Sequence, residues 1–349
     1  MQGFWSNLPK PFFALAPLAN VTDAAFRRVI AKHGKPDVMY TEFVSADGLA
    51  KGNREILMRD LIFTEAERPI VAQFFTSTPK HMEEVARLAR ELSFDGVDIN
   101  MGCPDRAVEK QGAGAALMKN PALAREIIRA AKSGAGQLPV SVKTRIGFNK
   151  DELEAWLPEI FAEEPAAVII HARTRKEMSK VPAQWEAVRR AVEIRNALGA
   201  QTLIVGNGDA TDLADARQKA KETGADGVML GRAIFGNPFL FSELGTQKRP
   251  ERPEGVEGQA PIEEKLRVLV EHIKLFEELL GDIKNFAIMK KHFKAYIKGF
   301  PACAGRDGAK ELRVKLMEAA DSAEVVKMIS TFLATGVFPT RVYTGISTQ

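Results

Sequence analysis

Eight short apolar runs, most with polar residues or glycine at or near their C-terminal ends and leading into a helical pattern, constrain this fold more than any other feature. They are FFALAPL (12–18), VMYTEFV (38–44), IVAQFF (70–75), GVDINMG (96–102), VSVKTR (140–145), AVIIHAR (167–173), LIVGNG (203–208) and GVMLGRA (227–233). Intervening stretches such as PKHMEEVARLAREL and TDLADARQKAKETG place apolar residues three and four apart, the period of a helix with one buried face. Strands alternating with helices argue for parallel pairing. Eight such units within residues 12–233 match a (β/α)8 TIM barrel in size. A doubly wound open sheet would be hard-pressed to hold eight similarly spaced units without a dinucleotide fingerprint.

Closing the runs into a barrel turns scattered polar residues into a set. Glu42, Gln73, Asn100, Lys143, Arg145, His171, Arg173, Asn207 and Asp209 lie at or just beyond the C-terminal ends of their runs. In a barrel those ends converge on one mouth, where active sites of this fold sit. Singly, each reads as a solvated charge or a satisfied core group, and the conjunction across the runs is what points to a pocket. After the last two runs, GNGD (206–209) and LGRAIFGNP (230–238) supply glycines that let backbone amides approach an anion. Gly208, Gly231 and Arg232 there are candidates for a phosphate site, Arg232 by a charge-assisted contact. No G-x-G-x-x-G follows a run, and the nearest candidate, GAGAAL (112–117), lacks the third glycine. Any redox cofactor would then be held by the mouth itself, and flavin mononucleotide, with one phosphate and a planar ring, suits that geometry.

Composition narrows the class further. The chain has 349 residues, 45% hydrophobic and 27% charged, as in ordinary soluble globular proteins. Its net charge of +4 is compatible with nucleic-acid binding without arguing for it. The two cysteines, Cys103 and Cys303, are too far apart to suggest a disulfide framework or a paired-thiol zinc site, so no metal is expected and a reducing compartment is. The opening MQGFWSNLPKPFFALAPL lacks a basic segment followed by an uninterrupted apolar stretch, and no apolar run approaches the ~20 residues of a membrane span. A cytoplasmic protein without membrane contact is expected, with a monomer as the default.

After residue 245 the texture changes. TQKRPERPEGVEGQAP reads as a linker over 246–260, and residues 261–349 carry helical patterns only, which predicts a barrel over 1–245 and a small all-α domain after the linker. Within that tail Lys284, Lys290, Lys291, His292, Lys294 and Lys298 crowd one segment, with Phe293 and Tyr296 interleaved. Lys290, Lys294 and Lys298 share a helix face. Such a stripe is either a solvated face or a contact for a phosphate backbone.

The sequence also resembles the tRNA-dihydrouridine synthases over essentially its whole length. APLANVTDAAFR (16–27), NMGCP (100–104), QGAGAALM (111–118), VKTRIG (142–147), HARTR (171–175), NGD (207–209), GRA (231–233) and KKHFKAYIKGFPA (290–302) follow the family's order and spacing. The resemblance implies an FMN-dependent reductase that draws electrons from NADPH (or NADH) and reduces uridines in tRNA to 5,6-dihydrouridine. Hydride would go to C6 of the uracil and a proton from Cys103 to C5. A thiol, with an ordinary pKa of about 8.5, is mostly protonated at neutral pH yet able to release its proton. The resemblance further implies that Pro17, Leu18 and Ala19 run along the flavin ring and that Gln73 bonds its polar edge. Lys143 and His171 would face N1 and O2, and Asn207, Gly208, Asp209, Gly231 and Arg232 the phosphate. Asn100 would contact the substrate uracil, Arg145 and Arg173 the flavin or the RNA substrate, and Lys290, Lys291 and Lys294 the RNA. The family often carries a basic residue where this chain has Ala107; if that residue touches RNA, Arg106 or Lys110 would have to substitute, or the RNA contact differs. Two rival readings share some of these features: an FMN barrel of the dihydroorotate dehydrogenase type acting on a free pyrimidine, and an RNA-binding factor with secondary or lost catalysis.

Overall fold

A computed structural model describes residues 3–52, 54–242, 262–297 and 308–335. Nine strands form one parallel sheet: β1 (Phe12–Leu15), β2 (Met39–Tyr40), β3 (Val44–Ser45), β4 (Ile70–Phe75), β5 (Gly96–Met101), β6 (Val140–Arg145), β7 (Ala167–His171), β8 (Leu203–Asn207) and β9 (Gly227–Leu230). Their order is β1-β9-β8-β7-β6-β5-β4-β2, with β3 also on β4. A bridge between Ala14 and Val38 brings β1 back beside β2 and closes the ring. The expected barrel is therefore present, with β2 and β3 together filling one of its eight positions.

Around it lie α1 (Ala24–His33), α2 (Ala46–Lys51), α3 (Arg54–Met58), α4 (Pro79–Glu91), α5 (Arg106–Lys110), α6 (Pro121–Ala135), α7 (Leu153–Phe161), α8 (Trp185–Ala197) and α9 (Leu213–Thr223). Their starts are locally encoded: Asp23, Asn120 and Asp212 each cap a first turn by accepting a backbone N–H, and Pro79 and Pro121 occupy first-turn positions.

Side-chain alternation along each strand sorts the core into two shells. Outward residues such as Val97, Ile99, Val142, Val168, Ile170 and Ile204 are buried against the helices. Inward residues Phe12, Ala14, Tyr40, Val71, Ile169, Val205 and Met229 fill the barrel interior together with Trp5 from the N-terminal 3-10 helix. Burying each such large side chain contributes roughly 1.5–3 kcal/mol. Gly227 makes room for this packing, since a Cβ there would lie 2.5 Å from the Phe12 ring.

Three runs (12–18, 167–173 and 227–233) end as strands two or more residues earlier than the sequence predicts, and a fourth (38–44) breaks in two. β1 stops at Leu15 because Ala16 N–H turns to the Leu230 carbonyl at 2.8 Å and Pro17 has no N–H to give. VMYTEFV breaks into β2 and β3 where Thr41 hydroxyl accepts from Gln73 N–H at 3.0 Å and Glu42 turns out of the ladder. β7 ends at His171, whose carbonyl accepts from Arg173 N–H in a tight turn at 2.7 Å. β9 ends at Leu230, where a 3-10 turn starts at Arg232.

The C-terminal region is helical as expected: α10 (Ile262–Leu280), α11 (Lys290–Tyr296), α12 (Gly308–Glu318) and α13 (Ser322–Thr335). Residues 283–297 do not form a single helix, because Asn285 caps a separate 3-10 turn over Phe286–Met289 before α11. α10 packs on α1 and α13, and Leu266, Leu269, Ile273 and Phe276 are continuous with the outer shell of the barrel core. The linker 246–260, Lys298 and Cys303 lie outside the described residues. Among the described residues no helix is long and apolar enough to cross a membrane.

Candidate active site

At the C-terminal end of the barrel the inward positions change from apolar to polar, and a cavity of about 310 Å³ opens there. Register explains the convergence: Gln73 pairs with Asp98, Asn100 with Lys143, Arg145 with His171, and His171 with Asn207. Pro17, Leu18 and Ala19 form one edge; Gln73, Asn100 and Cys103 a second; Lys143, Arg145, His171 and Arg173 a third. Asn207, Gly208, Asp209, Gly231 and Arg232 complete the ring. Phe43, Ser179 and Met229 also line it, and the strand pattern had not singled them out because nothing local distinguishes them from ordinary core or loop residues.

The turn that presents Cys103 is held from both sides. Asn100 Oδ1 accepts the N–H groups of Gly102 at 3.1 Å and Cys103 at 2.9 Å, while Arg145 Nε donates to the Gly102 carbonyl at 2.8 Å. Asp105 then caps α5 by accepting from Ala107 N–H at 2.8 Å, directing the chain away from the mouth. Burial pushes the Cys103 thiol above its ordinary pKa, so at neutral pH it carries its proton.

Asn100 is oriented in turn by a buried chain. With its oxygen taken by two N–H donors, its Nδ2 donates to Gln73 Oε1 at 3.1 Å, and Gln73 Nε2 donates to Asp98 Oδ2 at 2.6 Å. Ser141 hydroxyl donates to the other Asp98 oxygen at 2.5 Å. Each amide has one orientation that satisfies its neighbours. Asp98 is fully buried, and burial raises its pKa to about 6. The sequence carried a signal for it: a carboxylate two residues before Asn100 in an apolar strand must share the barrel interior with Asn100.

Cationic groups dominate the opposite wall. Lys143 Nζ donates to Asn207 Oδ1 at 3.2 Å, and Asn207 Nδ2 donates to the Met229 carbonyl at 2.8 Å. Burial, then Arg145, lowers the Lys143 pKa to about 8, so the ammonium is charged at neutral pH. His171 is held at about 2 by burial and by Lys143, Arg145 and Arg173, and is neutral. Arg173 Nη1 can only donate, so His171 Nε2, 3.1 Å away, accepts and the ring proton sits on Nδ1.

The two arginines are engaged with the protein. Arg145 also donates to the carbonyls of Thr174 at 3.1 Å and Met178 at 2.9 Å, and Arg173 to that of Val181 at 2.6 Å. They therefore fix the loop after β7 while lining the cavity. Asp209, at φ 52°, points its carboxylate at Arg173 and Arg232 and accepts from Ala183 N–H at 2.8 Å. A bound anion would meet the guanidiniums that Asp209 orients, together with the amides of the Gly208 turn, rather than the carboxylate itself.

The tail residues do not join this cavity. On α11, Lys291 and Lys294 are exposed and Lys290 is half-buried. Two neighbours read from the sequence as part of the same basic cluster belong to the interior. His292 is buried against Phe26 and His272, and Lys284 is paired with Glu42 at 2.7 Å and Asp60 at 2.8 Å. Glu42 likewise leaves the set converging on the mouth, because its carboxylate is spent on Lys284 and on Asn20 N–H. Arg106 and Lys110, on either side of Ala107, are exposed on α5. Among the described residues no group of three or more His, Cys, Asp or Glu side chains is placed to hold a metal ion.

A probable tRNA-dihydrouridine synthase of Staphylococcus aureus (strain MRSA252) is 39% identical over 337 residues, covering 95% of this chain and 96% of the relative. A probable tRNA-dihydrouridine synthase 2 of Bacillus subtilis (strain 168) is 39% identical over 334 residues, covering 95% and 97%. The solved structure of histamine dehydrogenase from Rhizobium sp. 4-9 shares the fold, with a TM-score of 0.50 and 13% identity over 76% of this chain and 49% of that one. The family model described as dihydrouridine synthase (Dus) matches residues 14–335, and the chain belongs to that family.

Proposed function

We propose that the protein reduces the C5–C6 double bond of uridines in tRNA to 5,6-dihydrouridine, with FMN in the barrel mouth. The observation that carries this reading is a protonated thiol, Cys103, facing the same cavity as the Lys143 ammonium and the Arg173–Asp209–Arg232 group.

The donor set suits a planar ring with a phosphate tail. Gln73 on one wall and Lys143 and the neutral His171 on the opposite one offer hydrogen-bond donors, and the guanidiniums with the glycine turns offer an anion site. FMN bound there would supply the hydride received by C6 of the uracil, with NADPH or NADH as the source of its electrons. Lys143 would place positive charge beside the polar edge of that ring, and His171 would add a neutral donor through Nδ1. Cys103 would give its proton to C5, so that hydride and proton together saturate the bond. Asn100 keeps one amide hydrogen beyond its bond to Gln73, available to a uracil carbonyl.

A uracil reaches this depth only when flipped out of its stack, at a cost of a few kcal/mol, which favours loop nucleotides. The exposed Arg106 and Lys110 of α5, which follows β5, and Lys176 and Lys180, on the loop after β7, stand at the C-terminal end of the barrel, where an RNA backbone would pass. The test is to incubate purified protein with FMN, NADPH and unmodified tRNA and to read the nucleosides by mass spectrometry. A uridine gain of about 2 Da, set by two hydrogens, is expected. Reduction of free pyrimidines with untouched tRNA would instead favour an enzyme of the dihydroorotate dehydrogenase type.

A further inference from the structure

The turn that carries the Pro17–Ala19 edge of the cavity is tied to the helical region through one buried carboxylate. Leu18 carbonyl accepts from Val21 and Thr22 N–H at 3.0 Å each, and Leu18 N–H donates to Thr22 hydroxyl at 2.8 Å. Asn20 stands in the left-handed region at φ 55°, and its N–H donates to Glu42 Oε1. The other Glu42 oxygen receives Lys284 Nζ at 2.7 Å, from the segment that follows α10. Lys284 also meets Asp60 at 2.8 Å. Side-chain exposures of 12% for Lys284 and 7% for Glu42 make this a desolvated pair. Asp23, with one carboxylate oxygen unpartnered, lies near the same group, and Lys284 is the ammonium that Glu42 and Asp60 share.

We propose that Lys284 is a positioning residue for the barrel mouth: through Glu42 it holds the Leu18–Thr22 turn, and with it the edge where the reading above places the flavin ring. The helical region then completes the cofactor site in addition to any contact with RNA. A carboxylate without Lys284 would sit buried beside Asp23 and Asp60 and would turn toward solvent, releasing Asn20 from its left-handed conformation. The identity of the ligand rests on the proposed function; the hold on the turn does not.

The experiment measures backbone hydrogen exchange of the ligand-free protein and FMN affinity for the wild type, Lys284→Met, Lys284→Arg and Glu42→Leu. Lys284→Met is expected to speed exchange over residues 18–22 by tenfold or more while β5 amides keep wild-type rates, to weaken FMN binding at least tenfold, and to alter the visible circular dichroism of the bound flavin. Lys284→Arg should restore both exchange and spectrum. Glu42→Leu removes the acceptor without stranding a charge, so it should loosen the same turn even where Lys284→Met fails to fold. Wild-type exchange over the turn in Glu42→Leu, or in a folded Lys284→Met, would overturn the proposal. Failure of the wild type to bind FMN would sink the proposed ligand, and the exchange measurement would still decide the role of Lys284.

Discussion

The backbone N–H of Cys103 donates to Asn100 Oδ1 at 2.9 Å, so the residue that opens the turn also aims the thiol that closes it. Because Asn100 is oriented by Gln73, and Gln73 by Asp98, the position of the sulfur traces back to a carboxylate deep in the barrel.

Cys103→Ala removes the proposed proton donor and leaves the cationic wall intact. FMN binding and NADPH oxidation are expected to stay within about twofold of wild type, whereas uridine reduction falls by about 10²–10⁴, the usual range for loss of a general acid. Rapid-mixing absorbance separates the two half-reactions, and unchanged turnover on tRNA would refute the assignment.

Asp98→Asn removes a buried charge and puts an amide where the chain of amides needs two acceptor oxygens. With the folded pKa raised to about 6, wild-type stability is greatest below the unfolded carboxylate value and declines as pH rises through about 6. The variant lacks that decline, so its melting temperature relative to wild type should rise between pH 4 and pH 7, by up to about 3 kcal/mol in stability. Its uridine reduction should nevertheless drop, since Gln73 and Asn100 lose their fixed orientation. Parallel pH profiles of stability for the two proteins settle the sign.

Lys143 titrates near 8, inside the accessible range. Flavin reduction by NADPH should be supported while the ammonium is charged and fall as pH rises through about 8. Lys143→Met should be slower at pH 7 and lack that alkaline limb. Flavin reduction followed at 450 nm from pH 6.5 to 9.5 provides the comparison.

Arg27 and Glu67 are both fully buried, paired at 2.7 Å, with further Arg27 bonds to the carbonyls of Thr22 at 3.0 Å and Ile62 at 2.6 Å. Arg27→Met strands the carboxylate and should cost about 3–5 kcal/mol of stability. Denaturant titration of the single variant against Arg27→Met/Glu67→Leu should show part of that loss recovered in the double variant.

The sequence by itself determined the barrel and the ring of groups at its mouth. Strand alternation has a period of two, so an inward Val71 requires an inward Gln73, and an inward Ile169 an inward His171. The turn at Cys103 is also local, since Asn100 and Gly102 lie within three residues of it. Tertiary structure alone decided which partner each polar group takes. Arg145 is absorbed by carbonyls as far away as Gly102 and Met178, and Glu42 leaves the mouth for Lys284, 242 residues away. Lys284 and His292 read as surface on a basic segment, yet Lys284 is covered at Glu42 and Asp60 and His292 against Phe26 of α1. Desolvation and partner choice depend on which chain segments arrive at the same place, and no periodicity within a single segment carries that information.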